Sequence, residues 1–340
     1  MQEHVSLKKY TTLKLGGQAR YFSVVKGRED IIFAVDFAQR HNISIVPLGG
    51  GSNLVVSDIL KDALFLKMEN KQLDILEESR GMVKISVGAG LVWDDFVAFT
   101  VSKNFSGIEA MSLIPGTCGA TPIQNVGAYG QEVSNVIESV TVYNIEDKKF
   151  FTLSNSDCQF SYRDSIFKNS LRGKCIVESV VFRLKKSKPT IPDYPKVIEV
   201  LREIQKIHSR KTLLQQIRQT IIQIRSEKLP DPNIIPNVGS FFKNVIINKS
   251  TLNDILKIFP DTPYFSAGDK YKIPAGWLIE KSGFKGHREN GVGVSDKNAL
   301  VLVNISASKT QKILDLAKTI QDKVKSDFGI SLEIEPQIIS

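Results

Sequence analysis

Cysteine, histidine and tryptophan are scarce in this chain: three, four and two residues respectively among 340. The cysteines (Cys118, Cys158, Cys175) are odd in number and far apart, which excludes a disulfide framework and a zinc knuckle. The histidines (His4, His41, His208, His287) have no HExxH or paired spacing, so no metal site is expected. No run approaches the ~18 apolar residues of a membrane span. Residues 1–10 carry no apolar run behind a basic start, so no secretory signal is expected either. A reducing cytoplasm is the expected location. Blocks of basic residues are also lacking. The formal net charge of +9 comes from 45 Lys and Arg against 36 Asp and Glu, dispersed along the chain. Such a charge attracts polyanions, either nucleic acid or a phosphorylated small molecule. No recognition motif supports the nucleic acid.

What is present is ordinary globular material, 42% hydrophobic and long enough for about two domains. Arg28-Glu29-Asp30 opens a helix whose apolar face is Ile31, Ala34, Val35 and Ala38, with acids in the positive first turn. Strands are read at 43–46, 54–56 and 83–87, then a helix marked by Trp93, Phe96, Val97 and Val101. Further strands lie near 140–143, 150–153 and 175–184. A Lys- and Pro-rich stretch at 185–195 reads as a boundary. Two basic amphipathic helices follow. Val197, Val200, Leu201, Ile204 and His208 share one face, and Leu213, Leu214, Ile217, Ile221 and Ile224 share the other, with His208 read as a partly buried structural residue. From 230 to 295 the chain reads as loop-rich. After a strand at 300–305, a helix is expected to start with a capping box, Ser308-x-x-Gln311. It buries Ile313, Leu316, Ala317, Ile320 and Val324 and stops at Gly329.

Two segments lack periodicity. Gly49-Gly50-Gly51-Ser52-Asn53-Leu54 follows a strand, where a glycine run makes either a tight turn or a set of unobstructed backbone N–H groups for a phosphate. It matches neither the dinucleotide nor the P-loop fingerprint. Residues 114–130, IPGTCGATPIQNVGAYG, are almost free of bulky side chains and would bury little apolar area. Their use is close backbone approach to a large flat or phosphorylated ligand, with Gln124 and Asn125 able to supply amide hydrogen bonds. Cys118, inside this loop, is read as a small packing residue.

The paired loops GGGSNLVVSD and SLIPGTCGATPIQNVGAYGQE resemble the flavin-binding half of the UDP-N-acetylenolpyruvoylglucosamine reductase family. Further matching blocks follow in order: Ser161-Tyr162-Arg163-Asp164-Ser165, GSFFKN at 239–244, AGWLIE at 275–280 and Ile334-Glu335-Pro336. Tyr10-Thr11-Thr12 and Gly16-Gly17-Gln18-Ala19-Arg20 sit where the family begins, and coverage is essentially the whole chain. The resemblance implies an α+β protein: a two-subdomain FAD-binding module of the vanillyl-alcohol-oxidase-like (PCMH) type plus a C-terminal α+β substrate domain. The expected organisation is a FAD-binding domain over 1–185 (subdomains near 1–68 and 69–185), a linker and helical insertion over 186–229, and a substrate-binding domain over 230–340 whose last strand returns to the FAD domain.

The activity implied is a cytoplasmic, monomeric flavoenzyme of peptidoglycan precursor synthesis, acting without nucleic acid or membrane partners. It uses NADPH and non-covalent FAD to reduce the enolpyruvyl ether of UDP-N-acetylglucosamine to UDP-N-acetylmuramate. The family's catalytic positions fall on Arg163, Ser240 and Glu335. FAD contacts carry over to Gly49, Gly50, Gly51, Ser52, Asn53, Leu54, Gly116, Thr117, Gly119, Ala120 and Ile176, and substrate contacts to Tyr129, Tyr194, Lys228, Asn244 and Asn298. Tyr194, in the 186–196 loop, resembles the tyrosine loop of the family's longer subtype. The chain departs from the pattern at two places: the usual histidine near Ser295 is missing, and Val245 stands where a proline commonly follows GSFFKN. The residues alone leave open an oxidase of small alcohols or sugars on the same scaffold.

Overall fold

The computed structural model describes residues 1–340, which divide into two compact units built from interleaved segments. The first unit comprises 1–5, 19–50 and 61–226; the second comprises 6–18, 51–60 and 227–340. No helix in either is long and apolar enough to cross a membrane.

Two sheets frame the first unit. One is four-stranded, in the order Gln2–Ser6, Gln18–Val25, Ala63–Met68, Ser44–Leu48, and its last three strands run parallel, with Val46 and Tyr21 flanking Phe65 and Leu64. Helix α1 (Arg28–Arg40) makes the parallel crossover and buries the predicted face Ile31, Ala34, Val35 and Ala38. Its start is fixed by Asp30, whose carboxylate accepts from the Lys26 and Gly27 N–H groups. The other sheet is five-stranded and antiparallel, in the order Lys149–Ser154, Ile137–Asn144, Cys175–Lys185, Met82–Gly88, Leu73–Glu78. The alternation Val83, Ile85, Val87 places these three side chains in the core. There α2 (Trp93–Ser102) adds Trp93, Phe96, Val97 and Val101. Helices α3 (Pro195–Ile207) and α4 (Leu213–Lys228) bury a smaller core of their own, Val197, Val200, Leu201 and Ile204 against Ile217, Ile221 and Ile224. His208 lies just beyond the last residue of α3 rather than on its stripe, half-buried and hydrogen-bonded to the Gln219 amide.

The second unit holds a four-stranded sheet in the order Asn237–Ser240, Val301–Asn304, Val292–Val294, Arg288–Glu289, and a three-stranded one, Val245–Ile247, Lys270–Ile273, Phe265–Ala267. The last strand, Gln337–Ile339, runs parallel to Leu54–Val56. The stretch read as loop-rich instead contains α5 (Lys249–Ile258) and α6 (Ala275–Lys281) besides these short strands. Elements of two to ten residues give too few repeats for a period to emerge, although the cap of α5, Asn248 accepting from Thr251 N–H, is a local signal.

The strong helix α7 (Gln311–Phe328) buries the expected stripe and ends at Gly329, whose φ of 67° suits glycine. The predicted capping box is absent. Asp58 takes its place, accepting from Thr310 N–H (2.8 Å) and Gln311 N–H (3.2 Å), while the Thr310 hydroxyl donates to the Val56 carbonyl and Gln311 turns to Asp315. A carboxylate brought in by the fold at a positive helix end displaces the local serine.

Candidate functional site

In the first unit the strand Ser44–Leu48 delivers Gly49 and Gly50 against the 116–120 loop. A Cβ on Gly50 would lie 2.9 Å from the Gly116 Cα, and one on Gly49 would lie 2.5 Å from the Thr117 hydroxyl and 3.5 Å from the Ala120 methyl. The two loops therefore meet backbone to backbone, and only glycine permits it. Gly119 is as constrained, since its Cβ would fall 2.3 Å from the Ala89 methyl. The loop is pinned from below by Trp93 N–H to Gly116 O, Cys118 N–H to Leu91 O and Gly119 N–H to Ala89 O. Lys67, next to Leu48 in strand register, donates to the Gly49 carbonyl at 2.5 Å, and burial lowers the pKa of its ammonium.

Cys118 is fully buried and its thiol is pushed well up by desolvation, as befits a packing residue. Burial also raises Cys158 to about 12 and Cys175 to about 11. Treating the native protein with a disulfide reagent near neutral pH should therefore label at most Cys175, the one half-exposed thiol, with all three reacting after denaturation. Stoichiometric native labelling of Cys118 would contradict this packing.

Arg163 sits in a tight turn closed by reciprocal Ser161–Asp164 backbone bonds, with a left-handed φ of 55°. Its guanidinium donates to the carbonyls of Gly127 (2.8 Å) and Asn125 (3.3 Å) and stands 5.3 Å over the Tyr162 ring. The Ser165 hydroxyl ties the same turn to the Ile123 carbonyl. The expectation that the Asn125 amide would serve a ligand is corrected here: it is buried and hydrogen-bonded wholly to protein groups. Tyr129 and Tyr194 are brought together edge to face, ring centroids 5.7 Å apart. Burial raises the Tyr129 phenol, with the Arg225 charge opposing the shift. Ile176 is fully buried in the core, in register with Tyr143.

Several charged residues escape the sequence reading. Besides Lys67, these are Arg225, whose buried Nε has no hydrogen-bond partner, and the pair Arg218–Asp94, which forms a fork at 2.7 and 2.8 Å. Spacing is a signal for Arg225, three residues before Lys228 on one helix. Nothing local connects Arg218 to Asp94. Asp94 also accepts from Leu113 N–H at 2.6 Å and so anchors α4 to the root of the glycine loop. Burial raises its pKa, but the Arg218 and Leu113 hydrogen bonds and the guanidinium charge outweigh that and hold it below the ordinary value. A depressed carboxyl stabilises the fold above its unfolded pKa and loses that contribution as pH falls through the folded one. Asp94→Asn should thus cost about 1–3 kcal/mol in urea unfolding near neutral pH. The gap from the parent protein should shrink as pH falls below the ordinary aspartate pKa of about 3.9.

The second unit carries the remaining positions. Gly51 has a φ of 66°, and a Cβ there would lie 2.0 Å from the Tyr10 carbonyl; its own carbonyl accepts from Thr12 N–H. Ser52, Asn53 and Leu54 lead into the strand Leu54–Val56. Residues 241–243 pair with 333–335 through Lys243 N–H to Glu333 O and Glu335 N–H to Phe241 O. That ladder sets Glu335 beside the residue following Ser240. Gln337 N–H then reaches the Asn53 carbonyl at 2.9 Å, so Ser240, Glu335 and Asn53 are held on adjoining backbone. The Lys243 ammonium pairs with Glu333. The Asn244 side-chain oxygen accepts from Ala275 N–H and that of Asn298 from Leu300 N–H, while Lys228 is exposed at the end of α4.

Comparison with known proteins adds to this geometry. A family model described as the UDP-N-acetylenolpyruvoylglucosamine reductase C-terminal domain matches residues 230–339, and one described as an FAD binding domain matches 19–154. The chain is 39% identical to the UDP-N-acetylenolpyruvoylglucosamine reductase of Flavobacterium johnsoniae, over 100% of its own length and 99% of the relative's. It is 38% identical to that of Neisseria gonorrhoeae, over 96% and 94%. The crystal structure of the Thermus caldophilus reductase superposes with a TM-score of 0.69 at 23% identity, covering 99% and 98% of the two chains, which shows a shared fold.

Proposed function

The chain belongs to the UDP-N-acetylenolpyruvoylglucosamine reductase family, and we infer from that membership that it reduces the enolpyruvyl ether of UDP-N-acetylglucosamine to UDP-N-acetylmuramate with NADPH. The observation that carries this reading is identity of 39% over the whole chain. The residues fit FAD: the two loops touch through Gly50 and Gly116 with no side chain between them, and small residues let a flat ring and a pyrophosphate approach peptide N–H groups. Their range falls within the FAD binding domain match. Gly49, Gly50, Gly116, Thr117, Gly119 and Ala120 would hold the cofactor, with Gly51, Ser52, Asn53, Leu54 and Ile176 flanking it. A Cys118 thiol that burial keeps protonated favours non-covalent binding.

Held by these loops, FAD would supply the redox chemistry that couples NADPH oxidation to hydride addition at the terminal carbon of the enol ether. Hydride addition there leaves an electron pair on the neighbouring carbon, delocalised into the substrate carboxylate. That charge needs donors placed in advance. Arg163 binds the carboxylate with a guanidinium that stays charged. Glu335 acts protonated, donating a hydrogen bond, since an ionised carboxylate would repel the developing dianion. The Ser240 hydroxyl gives its proton to the carbanionic carbon and is reprotonated from solvent. Tyr129, Tyr194, Asn244, Asn298 and Lys228 hold the sugar and diphosphate, Lys228 as a flexible point charge.

In this reading residues 1–185 form the FAD-binding domain, 186–229 the linker and helical insertion, and 230–340 the substrate side. The protein works as a cytoplasmic monomer in peptidoglycan precursor synthesis, without nucleic acid or membrane partners. The test is anaerobic single turnover. NADPH should bleach the oxidised-flavin absorbance of the purified protein, and the enolpyruvyl substrate should restore it. A colourless preparation, or bleached protein that the substrate leaves unchanged, would refute the assignment.

A further inference from the structure

We propose that the side chain of Asn125 is a positioning residue for Arg163, with Glu132 orienting it; this role rests on the carboxylate-binding function given to Arg163 above. Asn125 is 1% exposed, and its carboxamide ties its own loop to two other stretches of chain, at 132–134 and at 161. Nδ2 donates to the Ser161 carbonyl (3.0 Å) and to a Glu132 carboxylate oxygen (3.2 Å), and Oδ1 accepts from Ser134 N–H (3.1 Å). Both donor hydrogens and one acceptor site are thereby occupied. The backbone of the same residue does a second job: its carbonyl, with that of Gly127, receives the Arg163 guanidinium. One buried amide thus fixes the distance between the root of the Arg163 turn, at Ser161, and the two carbonyls that its tip grips. Arg163 in the turn and Asn125 opposite it both hold left-handed φ values, 55° and 44°, which few residues other than glycine adopt. Shifting Ser161 relative to 125–127 moves the guanidinium away from where a substrate carboxylate must meet it.

Asparagine tolerates the left-handed conformation, but glycine would satisfy that need better. The conformation alone therefore does not explain an amide with every donor engaged. The substitution Asn125→Asp separates the two roles, because it keeps shape and backbone tolerance while replacing both donor hydrogens by an acceptor. That acceptor would face the Ser161 carbonyl and the Glu132 carboxylate. Adding Glu132→Gln restores a donor opposite it.

The experiment compares the FAD-loaded parent, N125D, E132A and the N125D/E132Q double variant. In each, flavin content, the thermal midpoint and the two half-reactions are measured. For N125D the expected result is reoxidation by the enolpyruvyl substrate slowed about a hundredfold, with bleaching by NADPH unchanged. The double variant should regain about tenfold of that loss. E132A, which frees only one Asn125 hydrogen, should slow reoxidation about tenfold with bleaching intact, and it reads out the same role should N125D fail to fold. Reoxidation of folded N125D, or of E132A, at the parent rate overturns the proposal, as does equal slowing of both half-reactions. A parent protein that is not reoxidised by the substrate refutes the assigned reaction itself, and this role with it.

Discussion

Replacing Ser240 by alanine leaves NADPH able to bleach the bound flavin but slows reoxidation by the enolpyruvyl ether roughly a thousandfold, the range general-acid catalysis supplies. The asymmetry follows from where a proton is needed. Taking up reducing equivalents from NADPH makes no use of a substrate proton donor, whereas quenching the carbanion does. A serine hydroxyl is a weak acid, yet it suffices against so basic a centre. The local fold makes the variant readable. Ser240 ends the strand Asn237–Ser240, the preceding Gly239 has a φ of 72° with open space around its α-carbon, and burial at this point is carried by Phe241 and Phe242. Removing one oxygen from a half-exposed position should shift stability by less than about 1 kcal/mol. Stopped-flow absorbance of each half-reaction measures the effect, and a normal rate of reoxidation would remove Ser240 from the chemistry.

The second large effect is on cofactor retention. Gly50→Val should reduce the FAD released per protein on heating at least about tenfold, because its Cβ alone would stand 2.9 Å from the Gly116 Cα and neither backbone can swing aside like a side-chain tip. The Cγ methyls would force the 49–50 and 116–120 loops apart and cover the peptide groups between them. Gly81→Ala serves as the control. A methyl added at that glycine would meet nothing within 4 Å, so flavin content should stay at the parent level. Full occupancy in folded Gly50→Val would mean that the paired loops are a structural turn and not the cofactor's seat.

The parts of this molecule that sequence resolves are those with a repeated local pattern. The α1 and α7 stripes and the Val83, Ile85, Val87 alternation recur over enough residues for the period to show. The glycine loops and the SYRDS turn are legible for the opposite reason, as dense strings of unusual residues in a fixed order. What stays hidden depends on residues far apart in the chain. Asp58 caps a helix that starts more than 250 positions later, and Asp94 meets Arg218 across 124. Asn125 looks like a ligand-facing amide until its three protein partners are in place. Segment 51–60 joins the carboxy-terminal unit by strand pairing and helix capping, and 6–18 by hydrogen bonds from Asn237 N–H to the Thr12 carbonyl and from the Asn304 amide to the Leu13 carbonyl, none of which leaves a compositional mark.

The most direct measurement is an anaerobic turnover in which NADPH oxidation and nucleotide product are counted together. One enolpyruvyl ether should become one lactyl ether, with the mass gain of two hydrogens, for each NADPH consumed. Peroxide formed under oxygen from a small alcohol or sugar, with the enolpyruvyl nucleotide recovered unchanged, would contradict the account and select an oxidase on the same scaffold.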